Sequence, residues 1–387
     1  MNKGAIKSFA IWARNKLMAD VKSNAYLIGI REDGIQDSLP QSTIEVEYYD
    51  IGSAEPYAVT GDDLRKRDKI ISRLQYDIND SDYNTAYRNL LEHTASTWFN
   101  RLCAIRFMEV NDYFDDGLRV LSSSEEGKRE SDLMSSPFDS DIEFTEAERI
   151  QIRDWKLSNK SEELFAFLLK KKCRQLSEFL PGLFETEDDC TDLLVRFSIF
   201  DKAGIIDHLV NDIDEEDWKE QVQIIGWLYQ FYNTEFKDET YRLLKKQNLT
   251  KERIPSVTQL FTPEWIVKYM VENSLGRIWL DGHPYSRLEF LPTESEQADY
   301  AAGKRDADDH KWHYYLEEAE QEPEVQTQLE EIRKEYAALN PEDLSFIDPC
   351  LGSGHIVCYA FDVLMQIYTE QGYTARDAVR SIIENNL

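Results

Sequence analysis

The sequence predicts a mostly α-helical protein, in which a helical N-terminal region with a small β element leads to one strand, a glycine turn and a helix. Three observations support this fold class. Apolar residues recur at helical spacing through residues 6–21, 62–109 and 150–249. Residues 43–48 alternate between polar and apolar side chains, as a half-buried strand does. Residues 344–347 form a short apolar run ahead of a glycine-rich turn.

The first region, residues 1–121, is predicted to be helical with a short β-hairpin. It opens with a helix whose apolar face is formed by Ile6, Phe9, Ala13, Leu17 and Val21. The strand at 43–48 is predicted to pair with residues 57–59. Residues 62–109 then return to helical spacing. So many large apolar groups cannot all stay in water, which predicts a helical core of Leu90, Leu91, Trp98, Phe99, Leu102, Ile105, Phe107 and Met108.

The middle of the chain is predicted to contain a linker and a second helical domain. Residues 122–148 are rich in serine and acidic residues, which predicts a loop or linker and a domain boundary. Residues 149–250 are predicted to form a helical domain. Its apolar run at 224–232 is interpreted as a buried helix, with a base-stacking platform as the alternative. Residues 251–387 form the last predicted domain.

The strong negative charge limits the classes of function. The formal net charge is -30. This argues against the chain being the main surface that grips DNA, because phosphate binding needs clustered Lys and Arg. The acidity is interpreted as a well-solvated surface, with a basic partner or a DNA-mimicking face as the alternatives.

Cysteine usage and hydropathy predict a cytoplasmic protein. The five cysteines are scattered and include no Cys-x-x-Cys pair, which fits a reducing compartment better than a disulfide framework or a zinc site. The first residues predict a charged amphipathic helix rather than a signal peptide, and no apolar run approaches membrane-spanning length. His310 and His313 lack the further ligands that a metal site needs, so no metal is expected.

The turn at residues 348–354 carries the clearest chemical signal. It reads Asp-Pro-Cys-Leu-Gly-Ser-Gly and lies between a predicted buried strand and a predicted helix. Glycines there allow a tight turn and a close approach of the backbone to a ligand, beside the positive end of a helix. A dehydrogenase fingerprint fails because Val357 occupies the third glycine position, and a P-loop fails because no lysine follows Gly354. The pattern resembles the first cofactor motif of DNA adenine-N6 methyltransferases.

A second motif precedes it in the order found in the same enzymes. Residues 258–267 read Thr-Gln-Leu-Phe-Thr-Pro-Glu-Trp-Ile-Val, which resembles their Gln-x-Phe/Tyr-Thr-Pro signature. Thr262 is predicted to cap a helix that Pro263 begins. The predicted buried face of that helix consists of Ile266, Val267, Met270 and Val271.

The spacing between the two motifs predicts an insertion. About 85 residues separate Pro263 from Asp348, more than an ordinary connection between elements. The intervening sequence is charged, and residues 285–340 are interpreted as an acidic helical insertion. Within it, residues 313–339 are predicted to form an exposed helix or helix pair.

Further segments extend the resemblance over nearly the whole chain. Residues 98–102 with 106–109, and residues 226–232, resemble the N-terminal helical region of the PglX family. These are adenine-specific DNA methyltransferases of BREX phage-defence systems, related to single-chain restriction–modification enzymes. The resemblance implies that the strand, turn and helix open a Rossmann-like methyltransferase domain.

The resemblance also implies a cofactor, S-adenosylmethionine, and a set of residues that hold it. Phe261, Thr262 and Pro263 would line its methionine end, and Asp348 would lie near its ammonium group. Gly352 and Gly354 would let the backbone approach it. Cys350 and Leu351 depart slightly from the Ala-Cys that is commoner at these positions. The expected cofactor-binding residues are Phe261, Thr262, Pro263, Asp348, Cys350, Gly352 and Gly354.

Two parts of the family's machinery have no counterpart in this sequence. There is no Asn/Asp-Pro-Pro-Tyr/Phe, the motif that binds the amine of a flipped adenine, since residues 340–342 read Asn-Pro-Glu. The acidic residue of a following strand, which would hold the ribose, is also missing. We therefore expect no catalytic residue in this chain, feeble cofactor binding, and a truncated N-terminal part of a larger enzyme whose C-terminal part contacts DNA. The alternative is a non-catalytic interaction module that contacts other defence proteins or a phage inhibitor.

Overall fold

The chain folds into two compact units. The computed structural model of the protein describes residues 1–125, 127–184, 190–219, 222–245, 248–258, 260–304 and 310–387. The first unit is Met1–Val257 and the second is Thr258–Leu387. The described residues are mainly helical, as predicted. Within the described ranges, each helix is either too short or too polar to serve as a membrane span.

The first unit combines helices with two short hairpins. Strand β1 (Ile30–Arg31) pairs antiparallel with β2 (Gly34–Ile35), and β3 (Val46–Tyr49) pairs antiparallel with β4 (Tyr57–Thr60). The helices are α1 (Lys3–Leu27), α2 (Asp62–Asp80), α3 (Tyr83–Val110), α4 (Asp132–Ser135), α5 (Glu146–Leu157), α6 (Ser161–Leu176), α7 (Ile205–Asn211), α8 (Gln223–Tyr232), α9 (Thr234–Leu243) and α10 (Ile254–Thr258). The hairpin formed by β3 and β4 confirms the predicted pairing of these segments.

Helix α1 lies in the core of the first unit. Its first turn is capped by the side chain of Asn2, which accepts a hydrogen bond from the backbone N–H of Ala5 at 3.1 Å. The predicted apolar face is confirmed, because Ile6, Phe9, Ala13, Leu17 and Val21 are all buried. The helix packs against α3 and α8, with the ring of Phe9 stacked on that of Phe99 at 6.3 Å.

Helices α3 and α8 confirm most of the predicted core. Seven of the eight predicted α3 residues are buried, and Met108 is half-buried. On α8, Ile224, Leu228 and Tyr232 are buried, but the side chain of Ile225 is 39% exposed. The prediction of burial all round α8 is therefore wrong for one face, because the helix is covered on the side that packs against α1.

Residues 122–148 pack into the core instead of forming the predicted linker. Leu133, Met134, Ile142 and Phe144 are buried in the same cluster as α1 and α3. Leu133 and Met134 lie on the short helix α4, whereas Ile142 and Phe144 lie in a segment without regular secondary structure. The region therefore marks no domain boundary, and the sparse apolar residues of a polar segment are enough to fix it.

A buried carboxylate attaches the start of this segment to α3. Glu109 Oε1 accepts hydrogen bonds from Arg106 Nη1 at 2.8 Å and from the Ser122 hydroxyl at 2.9 Å. Its Oε2 accepts from the backbone N–H groups of Val120 and Leu121, both at 2.8 Å. Both oxygens are thus satisfied inside the protein, which is the condition for burying a charge.

The second unit has a core of its own. Its helices are α11 (Glu264–Glu272), α12 (Leu275–Gly282), α13 (Arg287–Phe290), α14 (Glu294–Ala301), α15 (Pro323–Tyr336), α16 (His355–Glu370) and α17 (Ala375–Ser381), followed by a π-helix at Ile382–Asn386. Trp279, Trp312, Leu364 and Tyr368 are among its buried residues. Helix α15 has no buried residue, which agrees with an exposed helix within residues 313–339.

The apolar run at residues 344–347 is not a strand. Only one backbone hydrogen bond joins it to a distant described segment, from the Phe346 N–H to the Asn386 carbonyl at 2.7 Å. The Asn386 side chain donates to the carbonyls of Leu344 and Pro341. A strand needs a ladder to a neighbour, and here a side-chain amide takes that place. The described residues of this unit contain no strand, so a Rossmann-like sheet stays a prediction.

The hydrogen bonds of Glu109 are predicted to stabilise the first unit. Replacing Glu109 with Ala leaves the buried Arg106 guanidinium with only its longer carboxylate contact, to Glu215 at 3.5 Å, and leaves the Val120 and Leu121 N–H groups without their acceptor. We expect a loss of about 3–5 kcal/mol in the free energy of unfolding. Urea unfolding followed by circular dichroism measures this loss. The control is Glu216→Ala, which removes the exposed ion pair with Lys219 and should cost less than about 1 kcal/mol. Equal losses in the two variants would contradict the role given to Glu109.

Candidate functional site

The two sequence motifs meet in the second unit. The ring of Phe261 stacks on the imidazole of His355, with centroids 4.5 Å apart and planes 13° apart. His355 Nδ1 lies 3.2 Å from the carbonyl oxygen of Thr262. The segment 261–263 that precedes α11 therefore contacts the first residue of α16, directly after the glycine turn, although about 85 residues separate Pro263 from Asp348 in sequence.

The turn before α16 requires its two glycines. Gly352 has φ 56° and Gly354 has φ 77°, both in the left-handed region. That region costs an ordinary L-residue roughly 1–2 kcal/mol. The Gly354 N–H donates to the Leu351 carbonyl at 2.8 Å, and the Gly354 carbonyl accepts from the Cys358 N–H at 2.9 Å. Gly352 is exposed and Gly354 is partly exposed, so the backbone of the turn is open to a ligand.

Asp348 offers an unused acceptor at the start of this turn. Its Oδ1 accepts a hydrogen bond from the Cys350 N–H at 2.9 Å, which holds the carboxylate in place. Its Oδ2 is buried and has no hydrogen-bond partner within the described residues. A buried acceptor without a partner is costly, so this oxygen fits a ligand that brings a donor, such as an ammonium group. Cys350 itself is exposed.

His355 was not singled out from the sequence, although it directly follows the second glycine. A carbonyl oxygen only accepts hydrogen bonds, so Nδ1 must carry the proton that it donates to Thr262. Burial lowers the pKa of His355 below its usual value, which favours the neutral ring near pH 7. The neutral ring then keeps a free lone pair on Nε2.

The start of α11 differs by one residue from the prediction. Pro263 is the cap residue, with its carbonyl accepting from the N–H groups of Ile266 at 3.0 Å and Val267 at 3.2 Å. The helix begins at Glu264, so Thr262 lies one position too early for its side chain to act as the cap. The backbone carbonyl of Thr262 is used instead, by His355.

Only part of the predicted buried face of α11 is buried. Val267 and Val271 are buried, Ile266 is half-buried, and Met270 is 47% exposed. Helix α11 packs against α16 along a narrow face. Met270 lies about 100° round the helix from Val271, which takes it off that face.

Glu272, the last residue of α11, is a buried carboxylate that sequence reasoning missed. Its Oε1 accepts from the Tyr359 hydroxyl of α16 at 2.8 Å, and its Oε2 accepts from the Tyr314 N–H at 2.7 Å. Burial raises the pKa of Glu272 to about 7, against the lowering effect of these hydrogen bonds and of Lys268. The sequence feature that could have identified Glu272 is its position directly after Val271, a residue of the predicted buried face.

Of the two histidines in residues 310–313, His313 is buried and serves packing, and His310 is exposed. His310 has φ 53°, so the segment does not form a helical turn that would align the two rings. His313 stacks on Tyr300 with centroids 3.8 Å apart, and Trp312 is buried. No group of three or more His, Cys, Asp or Glu side chains with metal-binding geometry occurs in the part of the chain that the structure describes.

The pKa of Glu272 predicts a pH dependence of the second unit. Because the folded value of about 7 exceeds the usual 4.5, folding favours the protonated form. The contribution of Glu272 to the free energy of unfolding is therefore highest at low pH, falls as pH rises from about 4.5, and levels off above about 7. Between pH 5 and pH 8, wild type should lose about 2–3 kcal/mol relative to Glu272→Gln, whose side chain does not titrate.

Native-state hydrogen exchange on peptides from α16 measures this difference as the free energy of opening. The comparison between variant and wild type cancels the other titrating groups, including His355. A difference between the two proteins that is the same at pH 5 and pH 8 would contradict the raised pKa.

Two curated relatives match the chain over its whole length, and no family model matches it. It is 39% identical over 397 residues to the adenine-specific methyltransferase PglX of Lacticaseibacillus casei (strain Zhang), covering 31% of that protein. It is 38% identical over 391 residues to the adenine-specific methyltransferase BrxX of Escherichia coli O9:H4 (strain HS), covering 29%. The chain thus spans about 30% of the length of these relatives. It matches, along its whole length, the N-terminal portion of the PglX and BrxX adenine-specific methyltransferases.

Proposed function

We propose that this chain is the N-terminal part of an S-adenosylmethionine-dependent DNA methyltransferase that modifies N6 of adenine in a phage-defence system. The observation that carries the proposal is the contact between residues 261–262 and His355. Asp348, whose Oδ2 has no hydrogen-bond partner within the described residues, starts the turn that leads directly to His355. The names of the relatives support the same activity.

The residues of the turn suit the methionine end of the cofactor. Asp348 Oδ2 would accept a hydrogen bond from the ammonium group, replacing the partner it lacks. The backbone of Gly352 and Gly354 would approach the cofactor without obstruction from side chains. Free N–H groups at the start of α16 would favour a negatively charged carboxylate. When bound, S-adenosylmethionine supplies the methyl group from its sulfonium.

Segment 261–263 would contribute to the cofactor site mainly through its backbone. Phe261 is buried against His355, so one face of its ring is already covered. Thr262 and Pro263 are half-exposed and would line the site beside the turn, and Cys350 would lie at its edge. Within the described residues, Asp348 has a buried side-chain oxygen without a hydrogen-bond partner.

The transfer step needs groups that these 387 residues do not supply. The amine of adenine is a poor nucleophile because its lone pair is delocalised into the ring. The Asn/Asp-Pro-Pro-Tyr/Phe motif that would bind this amine and stack on the flipped base is absent from the sequence. We therefore propose that the chain alone does not methylate DNA, and that DNA contacts come from other parts of the complete enzyme.

A second candidate function is a non-catalytic contact with a basic protein partner, such as another defence protein. Helix α15 favours it, because none of its residues is buried and most of its charged residues are acidic. This role does not require a cofactor. Binding of S-adenosylmethionine therefore separates the two candidates.

Cofactor binding should depend on the free oxygen of Asp348. In Asp348→Asn, the remaining carbonyl oxygen can still accept from the Cys350 N–H, but the amide cannot accept from an ammonium group. We expect wild type to bind S-adenosylmethionine more weakly than micromolar, and Asp348→Asn to bind at least about tenfold more weakly still. Saturation-transfer NMR measures such weak binding.

The matched control is Asp377→Asn, an exposed carboxylate of α17, which should bind like wild type. Equal affinity of Asp348→Asn and wild type would remove Asp348 from the site. Micromolar affinity of wild type would show a more complete pocket than we propose.

Methyl transfer by the chain alone should be undetectable. Purified protein incubated with labelled S-adenosylmethionine and DNA of mixed sequence should leave the DNA unlabelled, since nothing in the chain activates the amine. Label recovered as N6-methyladenine would contradict the proposal. A full-length relative assayed in parallel provides the positive control.

A further inference from the structure

We infer that Glu272 is a positioning residue for the proposed cofactor site. Its carboxylate joins the end of α11 to α16 and so sets how segment 261–263 lies against the turn at 352–354. The inference rests on the proposed function in one respect, that the site binds a cofactor. The contact between segment 261–263 and α16 can be measured without any ligand.

The two motif segments are each followed directly by a helix. Segment 261–263 leads into α11, and the glycine turn leads into α16. The position of one segment against the other therefore depends on how α11 packs on α16. Buried Val267 and Val271 supply apolar contact along α11, but apolar packing alone permits sliding of one helix on another.

Directional bonds occur at both ends of α11. Before its first residue, His355 donates to the Thr262 carbonyl at 3.2 Å. At its last residue, the Tyr359 hydroxyl donates to Glu272 Oε1 at 2.8 Å. His355 and Tyr359 lie one helical turn apart on α16. These two bonds bracket α11 and fix its register on α16.

The loop that contains Tyr314 is hydrogen-bonded to the C-terminal end of α11. Glu272 Oε2 accepts from the Tyr314 N–H at 2.7 Å. The neighbouring Asn273 side chain donates to the Tyr314 carbonyl at 2.8 Å and accepts from the Leu316 N–H at 2.8 Å. Glu272 thus uses each oxygen for a different element, one for α16 and one for the loop.

Stability alone does not explain a carboxylate at this position. Glu272 is fully buried, and within the described residues it forms no salt bridge. The cation on its helix, Lys268, pairs with Glu264 at 2.9 Å, and the phenols of Tyr359 and Tyr300 also interact with Glu272. A well-packed apolar side chain in place of a buried ionisable group is often neutral or stabilising, so the carboxyl at this position indicates a need for directional bonds.

The test uses the stack of Phe261 on His355 as a reporter. The chain has six histidines, so selective labelling of histidine gives a simple NMR spectrum in which His355→Asn assigns one signal. The face of Phe261 shifts the ring protons of His355 upfield while the stack persists. Titration with S-adenosylmethionine on the same samples measures cofactor affinity.

Three variants separate the roles of charge and bonding. Glu272→Met removes both acceptors, and Tyr359→Phe removes only the bond to α16. Both should lose part of the His355 shift and bind S-adenosylmethionine about tenfold more weakly. Glu272→Gln can accept from the Tyr314 N–H and donate to the Tyr359 oxygen, so it should retain the shift and the affinity of wild type.

The matched control is Glu370→Met. Glu370 also lies on α16, and its Oε2 accepts from Trp279 Nε1 at 3.3 Å and from the Ser286 hydroxyl at 2.8 Å, away from α11. It should leave the His355 signal unchanged. Tyr359→Phe keeps the test decisive if Glu272→Met fails to fold.

The possible results distinguish this inference from the proposed function. If Glu272→Met and Tyr359→Phe shift the His355 signal no more than Glu370→Met does, Glu272 is not a positioning residue. If they shift it while wild type binds no S-adenosylmethionine, the contact stands and the proposed function fails. If they shift it and weaken binding, both are supported.

Discussion

The contact of His355 with Phe261 and Thr262 is the interaction on which the account of the site depends. It combines an aromatic stack with a hydrogen bond to a backbone carbonyl, so it fixes both distance and orientation. Because a carbonyl accepts only, the contact also fixes the tautomer of the ring. Without it, the glycine turn and the upstream motif would be two separate local structures, and neither alone indicates a cofactor.

Two buried carboxylates, Glu109 and Glu272, hold irregular segments against helices. Glu109 fixes residues 120–122 to α3 through three hydrogen bonds, and Glu272 fixes the Tyr314 backbone and Tyr359 at the end of α11. Asp348 differs from both, because one of its oxygens has no partner within the described residues. In the first two sites the acceptors are used for structure, and the unpartnered oxygen of the third is the one that we propose accepts from a ligand.

The sequence predicted those features that depend on local pattern. Helical spacing identified α1 and α3, alternation identified the hairpin of β3 and β4, and the two glycines identified a turn that needs positive φ. What failed depended on partners distant in sequence. Residues 344–347 look like a strand but bond to Asn386, and residues 122–148 look like a linker but bury apolar side chains such as Leu133 and Phe144 in the core of the first unit.

The same division between local pattern and distant contacts applies to the candidate site. The family resemblance already implied that the two motif segments lie together, but the stack of Phe261 on His355 and the contacts of Glu272 were not predicted, because both depend on how α11 packs on α16. The most direct test is a nuclear Overhauser experiment between the ring protons of His355 and Phe261, with the stack of His283 on Trp279 at 3.8 Å as an internal control. The account predicts cross-peaks for both pairs. Cross-peaks for His283 and Trp279 without any for His355 and Phe261 would contradict it.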